Sequence, residues 1–119
     1  MGWHRNKVAI IGAGMIPFGE LFDKSWEEML EEAYLNCINS VDKGFDPKDI
    51  QAAWFGTFET GLTGQVLSPA LELQYLPITR VENACATGIE AIRNACFGLI
   101  SKAYDLVLVL GVERMKRRI

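Results

Sequence analysis

The stretch Arg80 to Ala95, RVENACATGIEAIRNA, decides the fold. Its opening residues end an apolar, β-branched run that begins at Ile78, and Ile89, Ile92 and Cys96 then recur at helical intervals after a cluster of small residues. A strand that turns directly into a helix is the signature of an α/β chain, and the alternation repeats on both sides. KVAIIG (Lys7 to Gly12) reads as a strand buried on both faces. Ser25 stands three residues before Glu28, a capping-box spacing, and Trp26, Met29, Leu30, Ala33, Cys37 and Val41 follow a helical period until Gly44. Asp46 before Pro47 predicts one helical turn ahead of a second strand, AAWFGTF (52–58). The Gly-rich loop ETGLTGQ (59–65), a short helix ending near Tyr75 with Pro77 as its stop, and a third strand ITRVENA (78–84) come next. A helix from Ala86 to Lys102 and a nearly all-aliphatic strand DLVLVLG (105–111) complete the pattern. The order βαβαβαβ predicts a mostly parallel sheet with helices on both faces and right-handed crossovers.

A chain of 119 residues, half of them apolar, is one domain (1–119): long enough for a core, too short for two lobes. Twelve Lys and Arg against 15 Asp and Glu give a net charge of −3, which offers no electrostatic footprint for nucleic acid. The basic cluster Arg114, Lys116, Arg117 and Arg118 reads as a solvated tail. No apolar run reaches the roughly 18–20 residues that span a bilayer, and the N-terminus lacks a signal-peptide pattern. The expectation is a cytoplasmic protein with neither membrane nor nucleic-acid partner. Its three cysteines, Cys37, Cys85 and Cys96, are odd in number and widely spaced, against both a disulfide framework and a CxxC metal site.

GAGMIPFG after the first strand invites a dinucleotide reading, but Pro17 replaces the third glycine and the next helix starts only near Ser25. Glu59 follows the second strand far too late for the acidic residue such a site needs. A tight structural turn explains Gly12 and Gly14 better.

Cys85 is the candidate with chemistry. Unpaired N–H groups and the macrodipole at a helix N-terminus favour a thiolate, and the same N–H groups can bind the oxyanion formed when a thiolate attacks a carbonyl. Ala84, Ala86 and Gly88 leave room for a substrate, and Thr87 can donate a hydrogen bond. On spacing alone a small buried hydrophobe remains an equal reading. The following helix has an apolar face of Ile89, Ile92, Cys96, Leu99 and Ile100, while Ala91, Ala95, Phe97 and Ala103 spread apolar surface around much of the rest and charges are few, so it expects cover on most sides. Cys37 and Cys96, on helical faces without junction geometry, read as core residues.

RVENACATGIEAIRNA, followed after one helix by YDLVLVLGVERM, resembles the thiolases, especially the archaeal and sterol-carrier-type acetyl-CoA acetyltransferases. The resemblance rests on Cys85-Ala86-Thr87-Gly88, on Gly111-Val112-Glu113-Arg114-Met115, on VAIIGAGMIPFGE and on Gly64-Gln65, in order along almost the whole chain. It implies a ping-pong acyl transfer from acyl-CoA, with Cys85 as the acylated nucleophile, its amide N–H in an oxyanion hole, and no cofactor beyond the CoA substrate. It implies a thiolase fold of two βαβαβ halves, of which 1–119 is one N-terminal-type domain, with the helix after Cys85 buried between the halves. The family's histidine base and second cysteine belong to a C-terminal half that these residues do not contain. His4, ahead of the first strand, is a poor base for Cys85. The resemblance therefore predicts a truncated thiolase half that forms a homo-oligomer or needs a partner chain, with ITRVENA as the edge for strand pairing. The competing readings are a non-catalytic interaction module of the same fold and, more weakly, a CoA- or nucleotide-binding module built on the glycine loops.

Overall fold

The structure, a computed structural model, describes residues 5–60 and 63–115. Three parallel strands, β1 (Ala52–Gly56), β2 (Ile78–Val81) and β3 (Val107–Gly111), lie in the order β2-β1-β3. Gly56, at the C-terminal end of β1, is level with Val81 on one side and Gly111 on the other. The central strand is buried on both faces, which is why it carries no alternation of polar residues.

Helix α1 (Trp26–Asn39) begins where the sequence predicts. Ser25 Oγ accepts from Glu28 N at 3.1 Å and the Glu28 carboxylate accepts from Ser25 N at 2.6 Å, closing the capping box. Its buried residues Leu30 and Tyr34 face the sheet side carrying Ala53, Phe55, Leu108 and Leu110, and a short helix α2 (Leu67–Leu71) adds Leu67 and Leu71 to that core. Each fully buried Leu or Phe here contributes roughly 1.5–3 kcal/mol. The predicted turn is present as a 3₁₀ turn, Pro47–Asp49, capped by Asp46.

Helix α3 (Thr87–Ile100) covers the other face of the sheet. Of the apolar surface that runs around most of this helix, the small-residue side meets the sheet. Ala91 and Ala95 are buried, Thr87 rests on Gly56, and Gly98 sits where a Cβ would lie 3.0 Å from the Trp54 ring and 3.1 Å from Tyr104. Trp54 and Tyr104 meet edge to face there, with ring centroids 6.0 Å apart. Small residues let the helix axis approach the sheet, so Ile89, Ile92 and Phe97 turn outward, 70, 44 and 47% exposed.

Four strands were expected and three form among the described residues. Lys7 to Gly12 joins no sheet. The chain from Gly12 onward lies instead against the C-terminal half of α1 and the turn after it: a Cβ on Gly12 would come within 2.8 Å of Val41, and one on Gly14 within 2.3 Å of Cys37 N and 2.4 Å of Ala33 O. Ala13 N donates to Ser40 Oγ and Asn36 Nδ2 to the Met15 carbonyl, holding it there. Ile10 and Ile11 are exposed. The two glycines are thus close-approach residues rather than the tight turn expected, and neither lies at a helix N-terminus.

The short helix also ends earlier than expected. Glu72 enters the left-handed region (φ 54°), so Leu71 and Leu73 both reach the core and Pro77 stops nothing.

Candidate active site

Cys85 lies in a 3₁₀ turn, Ala84–Ala86, that joins β2 to α3 at the C-terminal end of the sheet. That end is where α/β sheets build their sites. Cys85 is exposed, so the reading of it as a buried hydrophobe fails. Ala84 and Ala86 are exposed as well, and a Cβ on Gly88 would meet nothing within 4 Å, which leaves the approach to the thiol open.

The turn is tightly bonded. Ala84 adopts φ 46°, a left-handed conformation that costs an L-residue roughly 1–2 kcal/mol. Thr87 Oγ1 accepts from Asn83 N at 2.8 Å and donates to the Ala84 carbonyl at 2.6 Å. Ala86 N donates to the Asn83 carbonyl, and Ala84 N donates to the Glu82 carboxylate. The sequence marked Thr87 only as a possible donor; its two-way bond was not legible.

The neighbouring strand ends are joined by Glu113, two residues past β3. Its carboxylate accepts from Phe58 N (2.7 Å), Glu59 N (3.1 Å), Thr60 N (3.0 Å) and Thr60 Oγ1 (2.7 Å). Burial works against the charge, but the Thr60 hydroxyl and the three backbone amides outweigh it and hold the carboxyl below the usual range. Arg80 of β2 donates to the Phe58 carbonyl at 2.9 Å, so all three strands meet at this loop. The Gly-x-Glu-x-Met pattern located Glu113; what it binds depends on the 58–60 loop, 53 residues or more away in sequence.

Arg114 is half-buried rather than part of a solvated tail: its N donates to Thr60 Oγ1 and its Nη2 to the Phe22 carbonyl. It lines a shallow cleft with Ser25, Trp26, Glu27 and Thr60 that does not include Cys85. Lys116, Arg117, Arg118 and His4 lie outside the described residues. Cys37 and Cys96 are half-buried, not core, and burial pushes the Cys37 thiol up. Cys96 stands nine residues into α3, about 14 Å along the axis from its first residue at 1.5 Å per residue, too far to share a reacting atom with Cys85. Glu59 donates its amide N–H to the Glu113 carboxylate. Among the described residues no group of His, Cys, Asp and Glu could hold a metal ion, and no helix is long and apolar enough to cross a membrane.

The family model for the thiolase N-terminal domain matches residues 8–118. The acetyl-CoA acetyltransferases of Methanocaldococcus jannaschii and Methanothermobacter thermautotrophicus are 40% and 36% identical over 114 residues, 91% of this chain. A non-specific lipid-transfer protein-like 2 of Caenorhabditis elegans is 31% identical over 115 residues. The chain spans 29% of the length of each acetyltransferase and 27% of the nematode protein. With an α/β fold, parallel strands and a match across nearly its whole length, this chain belongs to the thiolase family.

Proposed function

We propose that this chain carries the acyl-accepting site of an acyl-CoA C-acyltransferase of the acetyl-CoA acetyltransferase type, with Cys85 as nucleophile. The observation that carries the reading is the exposed Cys85 at the strand-to-helix turn, inside Cys-Ala-Thr-Gly, in a chain of this family. The Cys85 thiolate attacks the thioester carbonyl of acetyl-CoA, backbone N–H groups at the turn receive the oxyanion, and the tetrahedral adduct collapses. The CoA thiolate leaves, and the acetyl group stays as a Cys85 thioester. The second half-reaction, carbon–carbon bond formation or its reverse, needs a general base and an acid that the described residues around Cys85 do not supply. The 119 residues contain a single histidine, His4. A further segment or a partner chain provides those groups. The outer edge of β2, one of the two lateral strands of the sheet, is the pairing edge for a second copy. The substrate is acyl-CoA, no further cofactor takes part, and the protein works in the cytoplasm.

A non-catalytic interaction module is the second reading, favoured by the exposed Ile89, Ile92 and Phe97 on α3. Incubation with acetyl-CoA followed by intact mass spectrometry separates the two. A single acetyl adduct, absent from Cys85→Ala, supports the acyltransferase. No adduct, alone or with a thiolase C-terminal half added, supports the interaction module.

A further inference from the structure

We infer that Thr87 is a positioning residue that aims the amide N–H of Cys85, an inference that rests on the acyl-transfer reading above. The chain must pass from the end of β2 into α3 within a few residues, and it does so through a left-handed Ala84. Glycine would adopt that conformation without strain; alanine holds it only if its surroundings fix it.

Thr87 fixes it from two directions. Its hydroxyl bridges the peptide before Asn83 and the peptide after Ala84, accepting from Asn83 N and donating to Ala84 O, which also accepts from the Thr87 backbone N–H. The peptide whose carbonyl belongs to Ala84 has Cys85 N–H as its other end. Because that unit is planar and trans, pinning the carbonyl oxygen sets the N–H pointing the opposite way. The second direction is the sheet. A Cβ on Gly56 would lie 3.0 Å from the Thr87 methyl carbon and 3.5 Å from its carbonyl oxygen, so the threonine is seated on the bare backbone of the central strand. Gly56 is itself held between Val81 and Gly111. The Cys85 amide is thereby referenced to the middle of the sheet through Thr87, its methyl group on the floor and its hydroxyl and backbone N–H in the turn. An oxyanion hole works only when its donors are aimed before the reaction begins, which gives this arrangement a catalytic consequence.

The test compares wild type with Thr87→Val, which keeps the branched shape and loses the hydroxyl, and Thr87→Ser, which keeps the hydroxyl. Three readouts are taken: the rate of Cys85 acetylation by acetyl-CoA, alkylation of Cys85 by iodoacetamide with Cys96 as the internal reference, and hydrogen exchange of the Asn83 amide. Thr87→Val is expected to slow acetylation about ten- to a hundredfold, somewhat less than deletion of an oxyanion donor. Iodoacetamide, which needs no oxyanion hole, should change less than about threefold relative to Cys96, and the Asn83 amide should exchange faster. Thr87→Ser should restore acetylation to within about threefold and restore Asn83 protection. If Thr87→Val is unstable, Thr87→Ala carries the same expectations. Acetylation at the wild-type rate in a folded hydroxyl-deleted variant overturns the inference, as does a serine variant that fails as badly as valine. If wild type itself takes no acetyl group, the acyl-transfer reading fails. The Asn83 amide then decides the positioning role: faster exchange in Thr87→Val supports it, and unchanged exchange overturns it.

Discussion

Replacing Glu113 by glutamine tests whether the carboxylate clasp holds the functional end of the sheet together. Four donors converge on two carboxylate oxygens, three of them consecutive backbone amides in the 58–60 loop. A hydrogen bond to a charged acceptor contributes about 1.5–3 kcal/mol, so four set a ceiling of roughly 6–12 kcal/mol. The side chain is exposed, and water can replace much of what is lost, which lowers the expectation to about 1–2 kcal/mol. Glutamine keeps the size but turns an NH₂ group toward donors that need an acceptor. For a domain of this length that is a melting temperature lower by roughly 4–10 °C at pH 7. The pH dependence has a definite sign. The folded-state pKa lies below the unfolded value, about 4.3 for a free glutamate. The stabilisation is therefore complete above that value and is lost as pH falls through the folded pKa. The gap between wild type and Glu113→Gln should be full at pH 7 and narrow as pH falls below the free-glutamate value and through the lower folded pKa, where Glu113 gains its proton and no longer accepts as a carboxylate. Thermal melts followed by circular dichroism at both pH values supply the comparison. Equal melting temperatures at pH 7, or a gap that persists unchanged in acid, would refute the clasp.

Other substitutions probe the rest of the fold. Phe55→Ala, at the fully buried centre of β1, should cost about 3–5 kcal/mol in chemical denaturation. Ala91→Leu forces a larger side chain between α3 and the sheet and should destabilise by about 1–3 kcal/mol, whereas a branched residue accepted there without loss would contradict the close approach. Gly14→Ala places a Cβ against backbone atoms of α1 that cannot move aside, and limited proteolysis should show cleavage within residues 5–16 speeding up while the sheet stays protected. Ile89→Lys with Ile92→Lys should leave stability within about 0.5 kcal/mol and lower the sedimentation coefficient if the outward face of α3 is an association surface.

The features legible in the sequence were those set by local chemistry. Ser25 and Glu28 could be paired on paper because a capping box is closed within four residues, and Asp46-Pro47 announced its turn for the same reason. Cys85 could be placed at a strand-to-helix junction because β-branched and helical periods meet there. KVAIIG shows the limit of this reasoning. A run of β-branched residues states a preference for extended backbone, but a strand exists only when another strand offers its hydrogen-bonding edge. In the described residues that run finds no strand, and the chain from its last glycine onward meets α1 instead, where Gly12 and Gly14 permit backbone to touch backbone.

Helix α3 makes the same point about faces. Counting bulk favours Ile89, Ile92 and Leu99 as the packed stripe, since large apolar side chains release the most surface from water. A helix lying close on a sheet is selected by the opposite property, and the signal was present as Thr87, Ala91 and Ala95 at four-residue intervals with Gly98 after them. The close approach has a consequence at the helix start. Thr87 is the first residue of that small-residue line, so the contact that seats the helix on Gly56 also seats the side chain that bonds the Cys85 turn. Packing and chemistry therefore share a residue. A substitution along the line that lifts α3, such as Ala91→Leu, should disturb Cys85 from more than one turn away without touching it.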